Sequence, residues 1–215
     1  GKWGLGAPGS EGDPMNQGFD RFYGLNCQRQ SHNFYPTHVW SDRKKVQLDR
    51  KHYSHTLIAD ECLKFIRANK DKPFFCYVPF TIPHAAMQAP EERVAPWRKK
   101  FPEFENVTGK YGGSVIKNPV AAFAAMMTLM DEDVGRILDL LEELEIEENT
   151  LVIFTSDNGP HKEGGHKPDF FDSNGPLKGY KRDLYEGGIR VATTAWWPGK
   201  IKAGSTSAHL AAGWD

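Results

Sequence analysis

Two short apolar runs decide most of what this chain is able to fold into. Phe74-Phe75-Cys76-Tyr77-Val78-Pro79-Phe80 and Leu151-Val152-Ile153-Phe154-Thr155 carry no charge and are shorter than a typical helix. Runs of this kind suit buried strands of a largely parallel sheet, in which both faces are covered. Each follows a stretch of helical spacing. Leu57, Ile58, Cys62, Phe65 and Ile66 predict a helix from Ser54, as N-cap, to about Asn69, ended by Asp71-Lys72-Pro73. Phe123, Met127, Met130, Val134, Ile137, Leu138 and Leu141 predict a second, from Pro119 at its first position to about Leu144. Residues 1 to about 53 and 81–118, punctuated by Gly and Pro, read as loop. Helices alternating with buried strands define the expected fold class: α/β, a mostly parallel or mixed sheet sandwiched by helices.

Composition narrows the function classes. The chain has 215 residues, enough for one domain, and its 39% hydrophobic content is that of a globular protein. A formal net charge of −1, with basic residues spread along the chain, excludes a polyanion-wrapping or nucleic-acid-binding protein. It still allows a few focused cations to bind a small anion. No apolar run approaches the roughly 20 residues of a membrane span. Cys27, Cys62 and Cys76 form no C-x-x-C pair and read as free buried thiols. The chain opens on Gly1-Lys2-Trp3 without Met or signal peptide and closes on Ala211-Ala212-Gly213-Trp214-Asp215, which reads as the start of a helix. It is therefore expected to be a segment of a longer protein, its fold incomplete at both ends.

In α/β sheets, ligands bind at the carboxyl ends of strands, and both runs end in chemically active residues. Asp157 and Asn158 offer adjacent hard oxygens, and Gly159 permits a sharp turn. Hard oxygens suit calcium or magnesium better than zinc; the competing reading is an Asx turn that merely ends the strand. His84, after the first run, is a candidate proton donor or anion ligand, against the common role of a packing histidine. Lys2 and Lys181 lie in Gly-rich surroundings, and a compact ammonium suits a tetrahedral oxyanion, although most lysines are solvated surface charges. Glu186-Gly187-Gly188-Ile189-Arg190 reads as an ion pair fixing a turn. The loop from His161 to His166 reads as either pocket mouth or solvated loop.

Four blocks, in order and at matching spacing, resemble the type I sulfatases, the formylglycine-dependent branch of the alkaline phosphatase superfamily. They are Gly1-Lys2-Trp3-Gly4-Leu5-Gly6; Pro73-Phe74-Phe75 through Pro83-His84 to Gln88-Ala89-Pro90; Asn149 through Asp157-Asn158-Gly159; and Gly175-Pro176-Leu177-Lys178-Gly179 through Lys181 to Glu186-Gly187-Gly188-Ile189-Arg190. The resemblance covers essentially the whole chain. It implies an alkaline phosphatase-like fold and sulfate ester hydrolysis, with Asp157 and Asn158 as ligands of one calcium ion. Lys2 and Lys181 would grip the sulfate, and His84 would protonate the leaving oxygen. The formylglycine nucleophile, made from Cys or Ser in Cys/Ser-x-Pro-x-Arg, is expected upstream. None of the three cysteines fits that motif, so residues 1–215 read as the central part of a catalytic domain, inactive alone.

Gly4 departs from the family, where a histidine commonly stands, and leaves that role open. The expected substrate is a sulfated sugar or polysaccharide, with a lean towards galactose-type residues, or an aryl sulfate. His161 and His166, with Asp169-Phe170-Phe171-Asp172-Ser173-Asn174, are the expected sugar contacts. A periplasmic or secreted location follows from the resemblance. The rival readings are a phosphatase or phosphodiesterase of the same superfamily, whose two zinc ions would want His where Asn158 stands, and a non-catalytic sulfated-glycan-binding homologue.

Overall fold

A computed structural model describes residues 1–213, so Trp214 and Asp215, the end of the helix start expected over 211–215, lie outside the described residues. The first 53 residues hold more order than loop punctuation suggests. β1 (Tyr23–Gly24), β2 (His38–Ser41) and β3 (Lys44–Gln47) form an antiparallel meander. The turn between β2 and β3 places Asp42 at φ 53°, a conformation that Asp tolerates better than most residues. α1 spans Ser54–Asn69 as expected. Ser54, however, is its first helical residue rather than its cap. Tyr53 holds the cap position, and the buried Ser54 hydroxyl has no hydrogen-bond partner.

Segment 81–118 contains two elements that the sequence reading passed over. α2 (Glu91–Lys100) begins with Glu91 and Glu92 and ends with Arg98, Lys99 and Lys100, charges that match the helix dipole at both ends. Its internal Pro96 hides that signal. β4 (Thr108–Tyr111) and β5 (Ser114–Lys117) pair as a hairpin around Gly112 and Gly113. These take φ 53° and 85°, as a tight two-residue turn demands.

α3 runs Pro119–Glu143, with Pro119 in its first turn and Asn118 as cap; the Asn118 Oδ1 accepts the Ala121 N–H at 3.0 Å. Its buried positions include Ala121, Ala122, Ala125, Met126 and Met130. Met127, expected in the core stripe, is 39% exposed. The alanines let α2 approach closely, so the buried face rotates towards Met126. One core cluster gathers Phe34, Tyr53, Ile82, Met87, Val94, Met126 and Met130. The other joins α1 and α3 through Cys62, Ile66, Leu140 and Leu141, with Phe74, Cys76 and Val78 packed against it.

The strand expected over Phe74–Phe80 is extended but unpaired as a ladder. Its side chains alternate: Phe74, Cys76 and Val78 face the helices, while Phe75 (75% exposed) and Tyr77 (59%) face outward. A ladder needs a neighbouring strand in register. The described residues bring the Lys2 N–H to the Pro79 carbonyl at 3.1 Å, beside an isolated parallel bridge between Lys2 and Leu25. The second run forms β6 (Val152–Phe154). It pairs antiparallel with β7 (Thr194–Trp196), after the one-turn α4 (Glu186–Ile189). The ladders among the described residues are antiparallel and stand beside the isolated parallel Lys2–Leu25 bridge, a mixed arrangement within the expected α/β class. All three cysteines are free, but Cys27 is exposed, contrary to the reading of three buried thiols. The sulfurs of Cys62 and Cys76 lie 3.7 Å apart. No described helix is long and apolar enough to cross a membrane.

Candidate active site

β6 delivers Ser156-Asp157-Asn158-Gly159 at its carboxyl end. Gly159 is fixed by close backbone contact: a Cβ there would fall 1.9 Å from the Gly187 carbonyl oxygen, and its N–H bonds to the Gly188 carbonyl at 3.0 Å. The next carbonyl, Pro160, accepts the Lys181 N–H at 2.8 Å. Lys181 and the Gly187-Gly188 turn are thereby drawn onto the Asp157-Asn158 segment. Glu186 and Arg190 pair at 2.5 Å across that turn, the structural ion pair expected.

Asp157 is exposed and, among the described residues, makes no hydrogen bond or ion pair. Asn158 spends its NH₂ on the Gly159 carbonyl at 2.8 Å, which leaves its amide oxygen as a free acceptor. This donor set fits a hard cation. Among the described residues no group of three or more His, Cys, Asp or Glu gathers as a metal cage, so this segment offers two ligands and not a complete site.

His161 ties the same loop to the segment carrying His84. Its Nδ1 accepts the Glu163 N–H at 3.1 Å, so the proton sits on Nε2 and is donated to the Pro83 carbonyl at 3.1 Å. His84 follows. Its Nδ1 bonds to the Ala85 carbonyl, and its ring lies among three others. His32 stacks on it at 5.0 Å with planes 9° apart, His161 at 5.9 Å and 29°, and Tyr111 stands edge-on at 5.7 Å. Burial pushes His84 down to about 4; the Ala85 hydrogen bond opposes this, and the Lys181 and Lys2 charges add to it. His32 is lowered too, by burial and then by Lys2 and Lys181. Lys2, His84 and Lys181, far apart in sequence, therefore share one electrostatic neighbourhood. The Lys181 ammonium stands 3.9 Å from Glu163, whereas Lys178 is spent over the Tyr185 ring at 3.9 Å.

Two of the expected sugar contacts are covered by other side chains. His161 and His166 do not line an open mouth: they are 7% and 4% exposed. His166 stacks on Phe123 at 3.7 Å, and burial, with His161 second, drives it down to about 3. Phe170 and Phe171 pack edge-on against Phe101, at 5.4 and 6.0 Å, and Phe170 keeps an exposed face. The sequence reading missed His32 and Tyr111. His32 sits in a loop without periodicity, and Tyr111 was signalled only by the Gly112-Gly113 turn beside it. At Gly4, φ is 79°, and a Cβ would lie 2.3 Å from the Gln28 side-chain nitrogen. The Gln28 carboxamide fills the space of the missing side chain.

These features define a mixed α/β protein in which two lysines from distant segments act on one half-buried histidine. A family model described as Sulfatase matches residues 1–212, and the chain belongs to the sulfatase family, with its alkaline phosphatase-like fold. It is 32% identical to the N-acetylgalactosamine-6-sulfatase of Rattus norvegicus, over 98% of this chain and 38% of that protein. It is 31% identical to an arylsulfatase of Hemicentrotus pulcherrimus, over 95% of this chain and 36% of that protein. Among solved structures, Ps i-CgsB in complex with k-i-k-neocarrahexaose matches with a TM-score of 0.73 and 27% identity, covering 94% of this chain and 45% of that one. The chain thus spans under half the length of these relatives.

Proposed function

We propose that the protein carrying this chain hydrolyses sulfate esters of a sulfated sugar, and that residues 1–215 are the central part of its catalytic domain. The observation that carries this reading is the approach of Lys2 and Lys181 to His84 beside the Asp157-Asn158 strand end. Asp157 and Asn158 would hold calcium, and the nucleophile precursor belongs to a Cys/Ser-x-Pro-x-Arg motif upstream. Calcium and formylglycine, which sulfatases generally use, supply charge neutralisation and the nucleophile.

The residues of this chain do the rest. Lys2 and Lys181 bind the non-bridging sulfate oxygens, where negative charge grows in the transition state. His84, its Nδ1 held by Ala85, presents Nε2 to the leaving oxygen and protonates it. Unliganded, His84 is neutral near pH 7 because two ammonium groups and burial oppose its charge. A sulfate between the lysines offsets that field, so His84 gains its proton together with the substrate. Support for a sugar substrate, with a lean to galactose-type residues, comes from the relatives named for N-acetylgalactosamine-6-sulfate and from the neocarrahexaose complex. A periplasmic or secreted location accompanies this reading.

The test is release of inorganic sulfate by the full-length protein from sulfated monosaccharides, an aryl sulfate and matched phosphate esters. Sulfate release that Asp157→Ala abolishes supports the reading. Turnover of phosphate esters alone, or glycan binding without turnover, overturns it.

A further inference from the structure

The chain has ten arginines, and eight of them pair with a carboxylate: Arg21, Arg43, Arg67, Arg93, Arg98, Arg136, Arg182 and Arg190. Arg29 and Arg50 pair with none among the described residues. Both line the same cavity of about 350 Å³, together with Gln30, Asn33 and Thr37. In a chain with 28 acids against 27 bases, two unpaired guanidinium groups facing one hollow are a focused positive spot.

The hollow is contiguous in sequence with the cleft. The 3-10 turn Gln30–His32 carries Gln30 into the cavity wall and, two residues on, His32 onto the His84 ring. Around the guanidinium pair the wall is neutral and largely apolar, with Cys27 and Pro36, and takes its polar atoms from the Gln30 and Asn33 amides and the Thr37 hydroxyl. That is the equipment for sugar hydroxyls, while planar guanidinium forks suit sulfate or carboxylate oxygens.

We propose that this cavity is a second subsite, in which Arg29 and Arg50 hold an anionic sugar one or more units away from the ester being cleaved. The inference rests on the proposed glycan sulfatase activity and adds that the preferred substrate is an oligosaccharide with at least two acidic groups. Binding energy from the distant anion anchors the chain while Lys2, His84 and Lys181 engage the scissile sulfate.

The test compares the full-length enzyme with Arg29→Ala, Arg50→Asn and the double variant. Asn is chosen at position 50 because that backbone has φ 63°, which Asn tolerates. Three substrates are used: a monosulfated monosaccharide, an oligosaccharide with a second sulfate, and one with a uronate in its place. The expected result is a rise in KM of about tenfold for the doubly anionic oligosaccharides in the double variant, reduced at high salt. kcat and the monosaccharide rate stay unchanged. The sulfate and uronate arms tell which anion the pair prefers. Equal loss on all substrates, or no change on any, overturns the subsite. If the parent enzyme releases no sulfate, the activity reading fails by itself. Calorimetric titration of the doubly sulfated oligosaccharide into parent and double variant then reads the cavity directly, and equal affinities overturn it.

Discussion

His84 shows how much a single residue owes to rings far away in sequence. Its imidazole is held by a stacked His32, a second stacked ring at His161 and the edge of Tyr111. Holding a proton donor in one plane is a matter of shape, so a ring without nitrogens should serve at position 32. His32→Phe is expected to retain kcat within about threefold, while His32→Ala lowers it by roughly tenfold or more with little change in KM, as misplacement of a general acid does. If Phe is as damaging as Ala, the imidazole nitrogens themselves are needed and the stacking account fails. The two neighbouring lysines separate in the same way. Lys181 is anchored to Pro160 and reaches the His84 field, whereas Lys178 lies over Tyr185. Lys181→Ala should lower kcat/KM by about 100- to 1,000-fold, the usual loss when a donor to a developing oxyanion is removed. Lys178→Ala should leave it near the parent value, and steady-state kinetics with one sulfated saccharide decides.

At the level of elements, what could be read in advance followed the range of the forces involved. α1 and α3 announce themselves by apolar spacing within one helix, and their limits came out within a residue. Asp157-Asn158-Gly159 was visible because a strand run leads directly into it. The hairpin β4–β5 was not, because its place depends on a contact 55 residues away: a Cβ on Gly109 would lie 1.7 Å from the Gly164 carbonyl oxygen. The burial of His161 and His166 is illegible for the same reason, since nothing local says that Phe123 and the Pro83 carbonyl will cover them. The Gly109 contact yields a test. Gly109→Ala must push the hairpin off the Gly164-Gly165 turn and carry Tyr111 away from His84. Overpacking of this kind costs about 1–3 kcal/mol, a fall in Tm of roughly 2–4 °C for each kcal/mol in a domain of this size. kcat should fall as well. A variant with unchanged Tm and kcat would show that the hairpin is not seated as described.

Across the whole molecule, the cleft concentrates histidines that resist protonation. Burial lowers His84 to about 4 and His166 to about 3, and lowers His161 and His32 as well. In the unfolded chain each titrates near 6.5. Between these values the unfolded state binds more protons than the folded one, so stability falls as pH drops below about 6.5, and the loss from these groups is complete near pH 3. Above about 7 they contribute no slope. Tm measured at fixed ionic strength should therefore be level from pH 8 to 7 and decline steadily from 6.5 towards 4. Lowered carboxylates such as Asp133 add to the decline only at the acid end of that range. His166 offers the sharpest check, because its neighbours are the Phe123 and Phe171 rings and one other histidine, His161. His166→Phe keeps the stacking and removes the titration. Its Tm should match the parent near pH 7.5 and exceed it at pH 5, the gap widening as pH falls. Parallel curves for parent and variant would mean that His166 is protonated in the folded protein, and the buried placement behind the cleft would have to be abandoned.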